Sequence, residues 1–221
     1  MDKKVIENYI FETIHLPIQE VRERRSVRFF KEKDTISEKN IATILEAARH
    51  APSAKNMQPL EYIVITDQEI KDGLAEYCQQ PQPKICPVSV VVVGDLELAG
   101  LVGEISTHTH TTKEKGQYMF LYMDAAAAIE NMLLTATSLN IDSLWISSLE
   151  AEQIGGLLRL PLHMVPVAAV CLGHRTKPPF TPKKRDLKER LHFNEYRLKE
   201  KDMSYLEDCK MINEEHGEYK Q

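Results

Sequence analysis

The chain alternates between segments whose apolar residues recur at helical spacing and short runs of β-branched residues. Residues 5–16 carry apolar side chains at the helical interval and end before Pro17, so they predict a first helix. Residues 37–51 show the same pattern between Ser37, a residue type that commonly caps helices, and Pro52, which interrupts them. We therefore expect an amphipathic helix in each segment.

Other segments predict strands and a long buried helix. The strand candidates are residues 62–66, 88–93, 144–146 and 167–172, of which 88–93 is expected to be buried on both faces. Residues 116–140 are apolar around most of a helical circumference, which is typical of a central, enclosed helix. A further helix of about ten residues is expected after Ser148. Because strands and helices alternate, the pattern indicates an α/β or α+β fold with a sheet enclosed by helices.

Composition is consistent with one packed domain. A chain of 221 residues with 43% apolar and 28% charged residues can bury a full core, which excludes fibrous and fully disordered classes. We place the main domain at residues 21–200, preceded by a helical extension at 1–20 and followed by a charged tail at 201–221. The polar segment 107–115 is expected to form a mobile surface loop.

Charge and cysteine content indicate which partners and which cellular compartment to expect. A net charge of −5 and a pI near 5.9 argue against broad binding to nucleic acid. The chain shows no signal-peptide pattern and no apolar run of membrane-spanning length, so we expect a cytoplasmic protein without a membrane partner. Four cysteines without CxxC spacing are expected to be free thiols, namely Cys78, Cys86, Cys171 and Cys209.

Three arginines are concentrated in residues 24–28, at Arg24, Arg25 and Arg28, with Ser26 between them. Such a cluster is either solvated at the surface or gathered around an anion, for which the guanidinium fork is well shaped. In an extended chain, Arg24, Ser26 and Arg28 would point to one side, and Arg25 and Val27 to the other.

A second cluster follows the helix predicted at 37–51. Ser53, Asn56 and Gln58 offer donors and acceptors that suit the edge of a heteroaromatic ring or a polyol. The alternative is a turn bounded by two prolines, Pro52 and Pro59.

Together with downstream segments, these clusters resemble the nitroreductase family of flavoproteins. The resemblance covers residues 20–197, and five motifs occur in the family's order. They are residues 24–30, 47–59, the helical segment 124–134, the Leu-Trp-Ile-Ser-Ser segment 144–148, and Leu172-Gly173-His174-Arg175 followed by the basic residues 183–185.

The resemblance implies an α+β fold of three layers, with a central, mostly antiparallel sheet enclosed by helices, in an intertwined homodimer. It also implies FMN as cofactor and NADH or NADPH as co-substrate. The residues expected to bind the phosphate and ribityl chain are Arg24, Arg25, Ser26 and Arg28, with Lys184 or Arg185 closing the phosphate site and Gly173 and Arg175 contributing from the closing motif. The residues expected near the flavin ring are Pro52, Ser53, Ala54, Asn56 and Gln58, some of them from the opposite subunit, and Trp145, Ser147 and Ser148.

The chain departs from the family pattern at two positions. Ser147 stands where many relatives have glycine, and His174 replaces the tyrosine of the typical Gly-Tyr pair, where we expect it to be a structural neighbour of the phosphate. Residues 79–84 and 101–115 match no family pattern, although they would help to cover the substrate side of the flavin. His108 and His110 could share a metal ion, but spacing indicates no further ligands, so no metal site is expected.

These observations predict an FMN-dependent oxidoreductase that passes hydride from NAD(P)H to a small electron-poor acceptor such as a nitroaromatic or a quinone. The flavin would perform the redox step, so no protein nucleophile is expected. Two alternatives keep the fold: an enone reductase or reductive dehalogenase, and a flavin-binding carrier or sensor with little turnover.

Overall fold

The computed structural model describes residues 18–105, 113–181, 183–187 and 190–196. The chain divides after Thr181, so that Leu16–Thr181 forms one compact unit. The described residues 183–187 and 190–196 belong to a second unit, in which the rings of His192 and Tyr196 stack with centroids 4.3 Å apart. All helices and strands named below belong to the first unit.

Four antiparallel strands form the sheet of the described chain. They are β1 (Leu60–Ile65), β2 (Val88–Asp95), β3 (Asp142–Ile146) and β4 (Met164–Gly173), arranged in the order β1-β2-β4-β3. The register pairs Val90 with Val170 in the centre and Asp142 with Gly173 at one end. The start of β3 and the end of β4 therefore lie side by side.

Seven α-helices are described around this sheet. They are α1 (Gln19–Glu23), α2 (Glu38–Arg49), α3 (Gln68–Tyr77), α4 (Gln82–Ile85), α5 (Leu96–Ile105), α6 (Lys113–Ser138) and α7 (Ala151–Leu157), and a 3₁₀ turn covers Ala54–Asn56. Side chains cap three of them. Ser37 accepts the N–H of Asn40 at 3.2 Å, Asp67 accepts that of Ile70 at 3.0 Å, and Asp95 accepts those of Glu97 and Leu98 at 2.8 and 3.0 Å. No helix in the described part of the chain has the length and apolarity that crossing a membrane requires.

The sheet has a separate apolar core on each face. Alternate residues of β2 divide between them, since Val90 and Val92 belong to one core and Val91 and Val93 to the other. Helices α2 and α6 cover the first face, and α3, α4 and α7 cover the second. This arrangement confirms the expected three-layer α+β fold and the strand buried on both faces.

A bulge interrupts the pairing of β2 with β4 where a proline enters the sheet. Val92 pairs with Ala168 and Val93 pairs with Pro166, so Val167 is the extra residue on β4. Because Pro166 has no N–H to donate to the neighbouring strand, a bulge is the arrangement that tolerates it inside a sheet.

The three described cysteines are free thiols buried in the protein, as expected for Cys78, Cys86 and Cys171. Burial raises the pKa of the Cys78 thiol to about 12, so it stays protonated at neutral pH. Cys209 lies outside the described residues.

The helix expected at 37–51 and the four strands are confirmed, and the helix after Ser148 is shorter than expected, at Ala151–Leu157. The expected loop is wrong at Lys113, where α6 begins, and the unmatched segment from Leu101 is helical as far as Ile105. The helix predicted at 5–16 and the His108–His110 pair lie outside the described residues.

The central helix is not enclosed on all sides in the single chain. On α6, Met119, Tyr122 and Met123 expose 44%, 51% and 60% of their surface. These three residues lie at positions i, i+3 and i+4, so they form one apolar face, which we call the α6 face.

Candidate functional site

Two backbone pairings fix the position of the arginine-rich segment. Val27 donates its N–H to the carbonyl of Ser143 at 3.0 Å, at the start of β3. Phe30 forms an antiparallel bridge with Arg175, just after β4 ends. The side chains of Val27 and Phe30 are buried and anchor the segment to the second core. The arginines that precede Val27 are therefore held at the same end of the sheet as Arg175.

A cleft of about 290 Å³ lies at this end of the sheet, and we call it the arginine cleft. Its lining residues are Glu23, Arg24, Arg25, Thr137, Asn140, Ile141, Asp142, Ser143, His174 and Arg175. Three guanidinium groups and two carboxylates belong to this lining, and the carboxylates of Asp34 and Glu130 lie beside it against His174 and Arg24. Such a surface suits an anion with several oxygen atoms, such as a phosphate ester.

Among the described residues, the protein engages only part of each guanidinium group on the α1 side of the cleft. Arg24 Nε lies 3.7 Å from a carboxylate oxygen of Glu130. Arg25 Nη1 donates to the backbone carbonyls of Arg22 and Arg24 at 2.5 and 2.7 Å. Because a guanidinium group carries five N–H donors, these contacts leave donors for a bound anion.

Two carboxylates hold the other side of the cleft. Asp142 accepts the backbone N–H of Arg175 at 2.7 Å and lies 3.0 Å from its Nε. Asp34 receives the backbone N–H and the ring Nδ1 of His174, both at 2.8 Å. Burial raises the pKa of Asp34, but hydrogen bonds from His174 and from the backbone of Thr35 outweigh burial and leave that pKa below its ordinary value.

Residues 53–58 form a loop with an unusual backbone. Lys55, Asn56 and Gln58 have φ angles of 52°, 58° and 52°, in the left-handed region. Only asparagine among these residue types adopts this region readily, and each of the others costs about 1–2 kcal/mol there. The loop therefore depends on contacts that hold it in place.

Two hydrogen-bonded anchors supply such contacts. The backbone N–H of Gln58 donates to Ser53 Oγ at 3.0 Å, which closes the loop on itself. The backbone N–H of Ala54 lies 3.0 and 3.1 Å from the two carboxylate oxygens of Asp124 on α6. The second anchor ties the loop to the central helix.

A second cleft of about 140 Å³ lies beside this loop, and we call it the loop cleft. It is lined by Ala48, Arg49, Ala51, Pro52, Ser53, Gln58, Pro59, Leu60, Tyr62, Asp124 and Ala128. Ala128 lines the loop cleft and Thr137 lines the arginine cleft, and these positions are about 13 Å apart along the axis of α6. One chain thus presents the two predicted clusters at separate places.

The structure brings three of the predicted phosphate-binding arginines together, namely Arg24, Arg25 and Arg175. The expectation that Arg25 points away from Arg24 is wrong, because both line the arginine cleft. Arg24 is the C-cap of α1, with φ −52° and ψ 129°, so the strict alternation of an extended chain does not apply there.

Other predicted residues lie outside both clefts. Ser26 and Arg28 are exposed near the arginine cleft without lining it. Trp145, Ser147 and Ser148 are exposed at the end of β3, and their expected place beside the flavin ring stays a prediction.

The loop residues divide in the same way. Pro52, Ser53 and Gln58 line the loop cleft. Ala54 is held by Asp124, and Asn56 is exposed. The loop cleft thus receives three of the five residues expected at the flavin from this segment.

Gly173 has a packing role of its own. A Cβ atom at this position would lie 2.8 Å from Pro87 Cδ and 2.9 Å from Phe30 Cδ1. Lys184 and Arg185 are exposed in the second unit, and their expected role in the phosphate site stays a prediction.

Sequence reasoning missed the carboxylates that organise the site. Asp34 and His174 are 140 residues apart, and Ala54 and Asp124 are 70 apart. An excess of arginine near a proposed anion site signals that some acids must orient the guanidinium groups. That signal does not identify the acids, because strand pairing decides which ones are near.

Comparison with known proteins places the chain in a family. The family model described as "Nitroreductase family" matches residues 21–174. The chain belongs to the nitroreductase family. That match includes Arg24, Arg25, the loop 53–58 and His174 at its last position.

Individual nitroreductase relatives cover most of the chain. An NADH dehydrogenase from Thermus thermophilus is 30% identical over 173 residues, which cover 68% of this chain and 82% of that protein. An FMN reductase [NAD(P)H] from Bacillus subtilis is 25% identical over 162 residues, which cover 71% of this chain and 65% of that protein.

Solved nitroreductase structures share the fold. NfrA1 from B. megaterium superposes with a TM-score of 0.73 at 25% identity, covering 92% of this chain and 87% of that one. A protein from Exiguobacterium sibiricum, solved in complex with FMN, gives a TM-score of 0.71 at 20% identity, covering 83% of this chain and 99% of that one.

Proposed function

We propose that the chain is an FMN-dependent oxidoreductase that passes hydride from NADH or NADPH to a small electron-poor acceptor, such as a nitroaromatic or a quinone. Family membership and the names of the relatives, NADH dehydrogenase and FMN reductase, support the class of reaction. We further propose that the enzyme works as a homodimer in the cytoplasm. The observation that carries the proposal is the arginine cleft.

The chemistry of the arginine cleft fits the phosphate end of FMN. Arg24, Arg25 and Arg175 offer planar donor groups, and Asp142 orients the last of them. Thr137 and Asn140 add neutral polar groups to the same lining, which suit a ribityl chain. FMN supplies the hydride-transfer chemistry when bound, and the residues of this cleft bind and orient it.

The loop cleft suits the ring end of the cofactor. Ser53 and Gln58 carry hydrogen-bonding side chains, and Pro52 and Tyr62 supply apolar surface beside them. The strained backbone of residues 53–58 presents these groups in a fixed arrangement, because Asp124 holds Ala54. Fixed donors near a redox ring influence how readily it accepts hydride.

A dimer would bring the two clefts to one cofactor. Within one chain they lie along α6 about 13 Å apart. The α6 face (Met119, Tyr122 and Met123) is apolar and exposed, and it lines neither cleft. Packing of this face against a second copy would bury it and place the loop cleft of one subunit beside the arginine cleft of the other. We therefore infer that the complete flavin site contains residues of both subunits.

Titration of the apoprotein with FMN and with riboflavin tests the cofactor assignment. Arg25→Gln should weaken FMN binding about tenfold or more, since a hydrogen bond to a charged group contributes about 1.5–3 kcal/mol. Riboflavin, which lacks the phosphate, should lose much less affinity. Arg159→Gln is the matched control because Arg159 is exposed and lines neither cleft. Equal losses for both ligands would contradict phosphate binding by Arg25.

Steady-state oxidation of NADH and NADPH, with and without menadione, tests the reaction. Rapid acceptor-dependent oxidation is expected of an oxidoreductase with a quinone or nitroaromatic substrate. An FMN-loaded protein that oxidises neither nicotinamide at a useful rate would instead be a flavin carrier or sensor. A preference for enones or halogenated compounds over menadione would change the acceptor class.

A further inference from the structure

His174 and Asp34 form a hydrogen-bonded pair at the arginine cleft. His174 follows the last residue of β4 and lines the cleft, and its Nδ1 lies 2.8 Å from Asp34 Oδ2. The same oxygen accepts the backbone N–H of His174 at 2.8 Å. Because an ionised carboxylate can only accept, the imidazole carries its proton on Nδ1. The other ring nitrogen, Nε2, is then the atom that gains or loses a proton.

Asp34 is placed to hold the imidazole of His174 in one orientation. Its side chain exposes 14% of its surface and that of His174 exposes 39%. Burial raises the pKa of Asp34, but hydrogen bonds from His174 and Thr35 and the charge of His174 together leave that pKa below its ordinary value, so this carboxylate is ionised at neutral pH. An ionised aspartate hydrogen-bonded to Nδ1 fixes the orientation of the ring, as in catalytic triads.

Protonation of His174 changes the balance of charge in the arginine cleft. The cleft lining contributes Arg24, Arg25 and Arg175 as cations and Glu23 and Asp142 as anions. Glu130 on α6 also pairs with Arg24 at 3.7 Å. Asp34 and Glu130 add two carboxylates beside this lining, so the three arginines face four carboxylates, and an imidazolium at His174 brings the cations to the same number. The added cation attracts a dianionic phosphate.

We propose that His174, held by Asp34, is a proton-dependent determinant of affinity for the phosphate of FMN. The inference rests on the proposed function and extends it to a residue that departs from the family pattern. Protonated His174 adds a cation with an N–H donor to the cleft, and neutral His174 does not. FMN therefore binds more tightly when His174 is protonated, and above pH 6.5 most of the phosphate is still dianionic.

Thermodynamic linkage requires that bound FMN also affect the protonation of His174. If a proton on His174 favours FMN, bound FMN must favour that proton by the same factor. The midpoint of the His174 imidazole titration should therefore move to higher pH when FMN is added. Riboflavin should move it less because it brings no phosphate. A residue that merely packs at the end of β4 would show neither effect.

The experiment compares FMN and riboflavin affinities of the apoprotein at several values between pH 6.5 and 8.5. For the wild type, the ratio of FMN to riboflavin affinity should rise about threefold to tenfold across this range as the pH falls. His174→Gln cannot gain a proton and should show a flatter ratio. His163→Gln is the matched control, since His163 lines neither cleft, and it should follow the wild type. Any titration of the phosphate itself is common to all variants.

A second variant, Asp34→Asn, tests the same proposal without replacing His174, in case His174→Gln disturbs the fold. Asp34→Asn retains an oxygen that can accept the backbone N–H of His174 but removes the negative charge. The imidazolium is then less favoured, so the rise in the affinity ratio should move to lower pH. Following the His174 ring by NMR, with and without FMN, measures the same shift directly.

The outcomes separate this inference from the function on which it rests. A wild-type protein that binds neither flavin would overturn both. FMN binding whose ratio to riboflavin changes equally with pH in the wild type and in His174→Gln would overturn this inference alone. A titration midpoint of His174 that FMN leaves unmoved would do the same.

Discussion

Asp124, in the middle of the central helix, receives the backbone N–H of Ala54 at 3.0 and 3.1 Å from its two carboxylate oxygens. Only 8% of Asp124 is exposed. The loop that contains Ala54 has three non-glycine residues in the left-handed region. The contact therefore positions the loop that we assign to the flavin ring.

Removing the Asp124 carboxylate should destabilise the protein. Asp124→Ala leaves the N–H of Ala54 without its acceptor, and a partly buried hydrogen bond to a charged group contributes about 1.5–3 kcal/mol. Asp124→Asn keeps one acceptor oxygen and should lose less. Urea unfolding at pH 7 measures both, with Glu61→Gln on the exposed side of β1 as a control that should change little. Equal stability of Asp124→Ala and wild type would contradict the anchoring role.

The same carboxylate should leave a signature in the pH dependence of stability. Burial raises the pKa of Asp124 above its ordinary value of 3.8, and the hydrogen bond from Ala54 only partly opposes burial. The folded state then binds this proton more tightly than the unfolded state does. As the pH falls through the raised pKa towards 3.8, the wild type should gain stability relative to Asp124→Asn. Urea unfolding of both proteins from pH 7 to pH 4 measures this change in relative stability. A wild type that becomes less stable than Asp124→Asn as the pH falls would contradict the prediction.

The sequence predicted the elements whose signals are local. Ser37 caps α2 as expected, and the β-branched run at 88–93 is part of β2, buried on both faces. Helices α1, α3, α4 and α5 were missed. In α5 the sequence Leu-Glu-Leu-Ala-Gly is apolar and glycine-containing, without a clear helical stripe, and its helical state depends on packing against α6.

The site was predictable only in part for a related reason. The arginine cluster and the polar loop are contiguous in sequence, so their residue types indicated binding of an anion and of a ring. Their partners Asp142 and Asp124 come from distant segments that strand pairing and helix packing bring close. The wrong side assigned to Arg25 has a local cause, since α1 ends at Glu23 and the chain turns at its C-cap, Arg24.

Gly173 and Gly155 should respond in opposite ways to the same substitution. A Cβ at Gly173 would lie 2.8 and 2.9 Å from Pro87 and Phe30, and relieving such overpacking costs about 1–3 kcal/mol. A Cβ at Gly155 meets nothing within 4 Å, and alanine in α7 should stabilise the helix by about 0.5–1 kcal/mol. Thermal unfolding of Gly173→Ala and Gly155→Ala compares them. A Gly173→Ala protein as stable as the wild type would show that Phe30 and Pro87 can move aside.

We expect the exposed α6 face to form the interface of the proposed homodimer. Met123 is the most exposed of its three residues, and in the proposed homodimer it is buried against the second copy. Met123→Lys would place an unpaired ammonium group on each side of that interface, where burying a charge without a partner is strongly unfavourable. The variant should therefore be largely monomeric at concentrations where the wild type is dimeric, as measured by sedimentation velocity.

Because we assign the loop cleft of one subunit to the cofactor held by the other, the monomeric variant should also bind FMN more weakly. Its affinity for riboflavin should fall by a similar factor, since the loss affects the ring end and leaves the arginine cleft intact. This pattern is the reverse of that expected for Arg25→Gln. Leu162→Lys is the matched control, because Leu162 is fully exposed and lines neither cleft. A Met123→Lys protein that remains dimeric, or a monomer that binds FMN as tightly as the wild type, would contradict a flavin site shared between subunits.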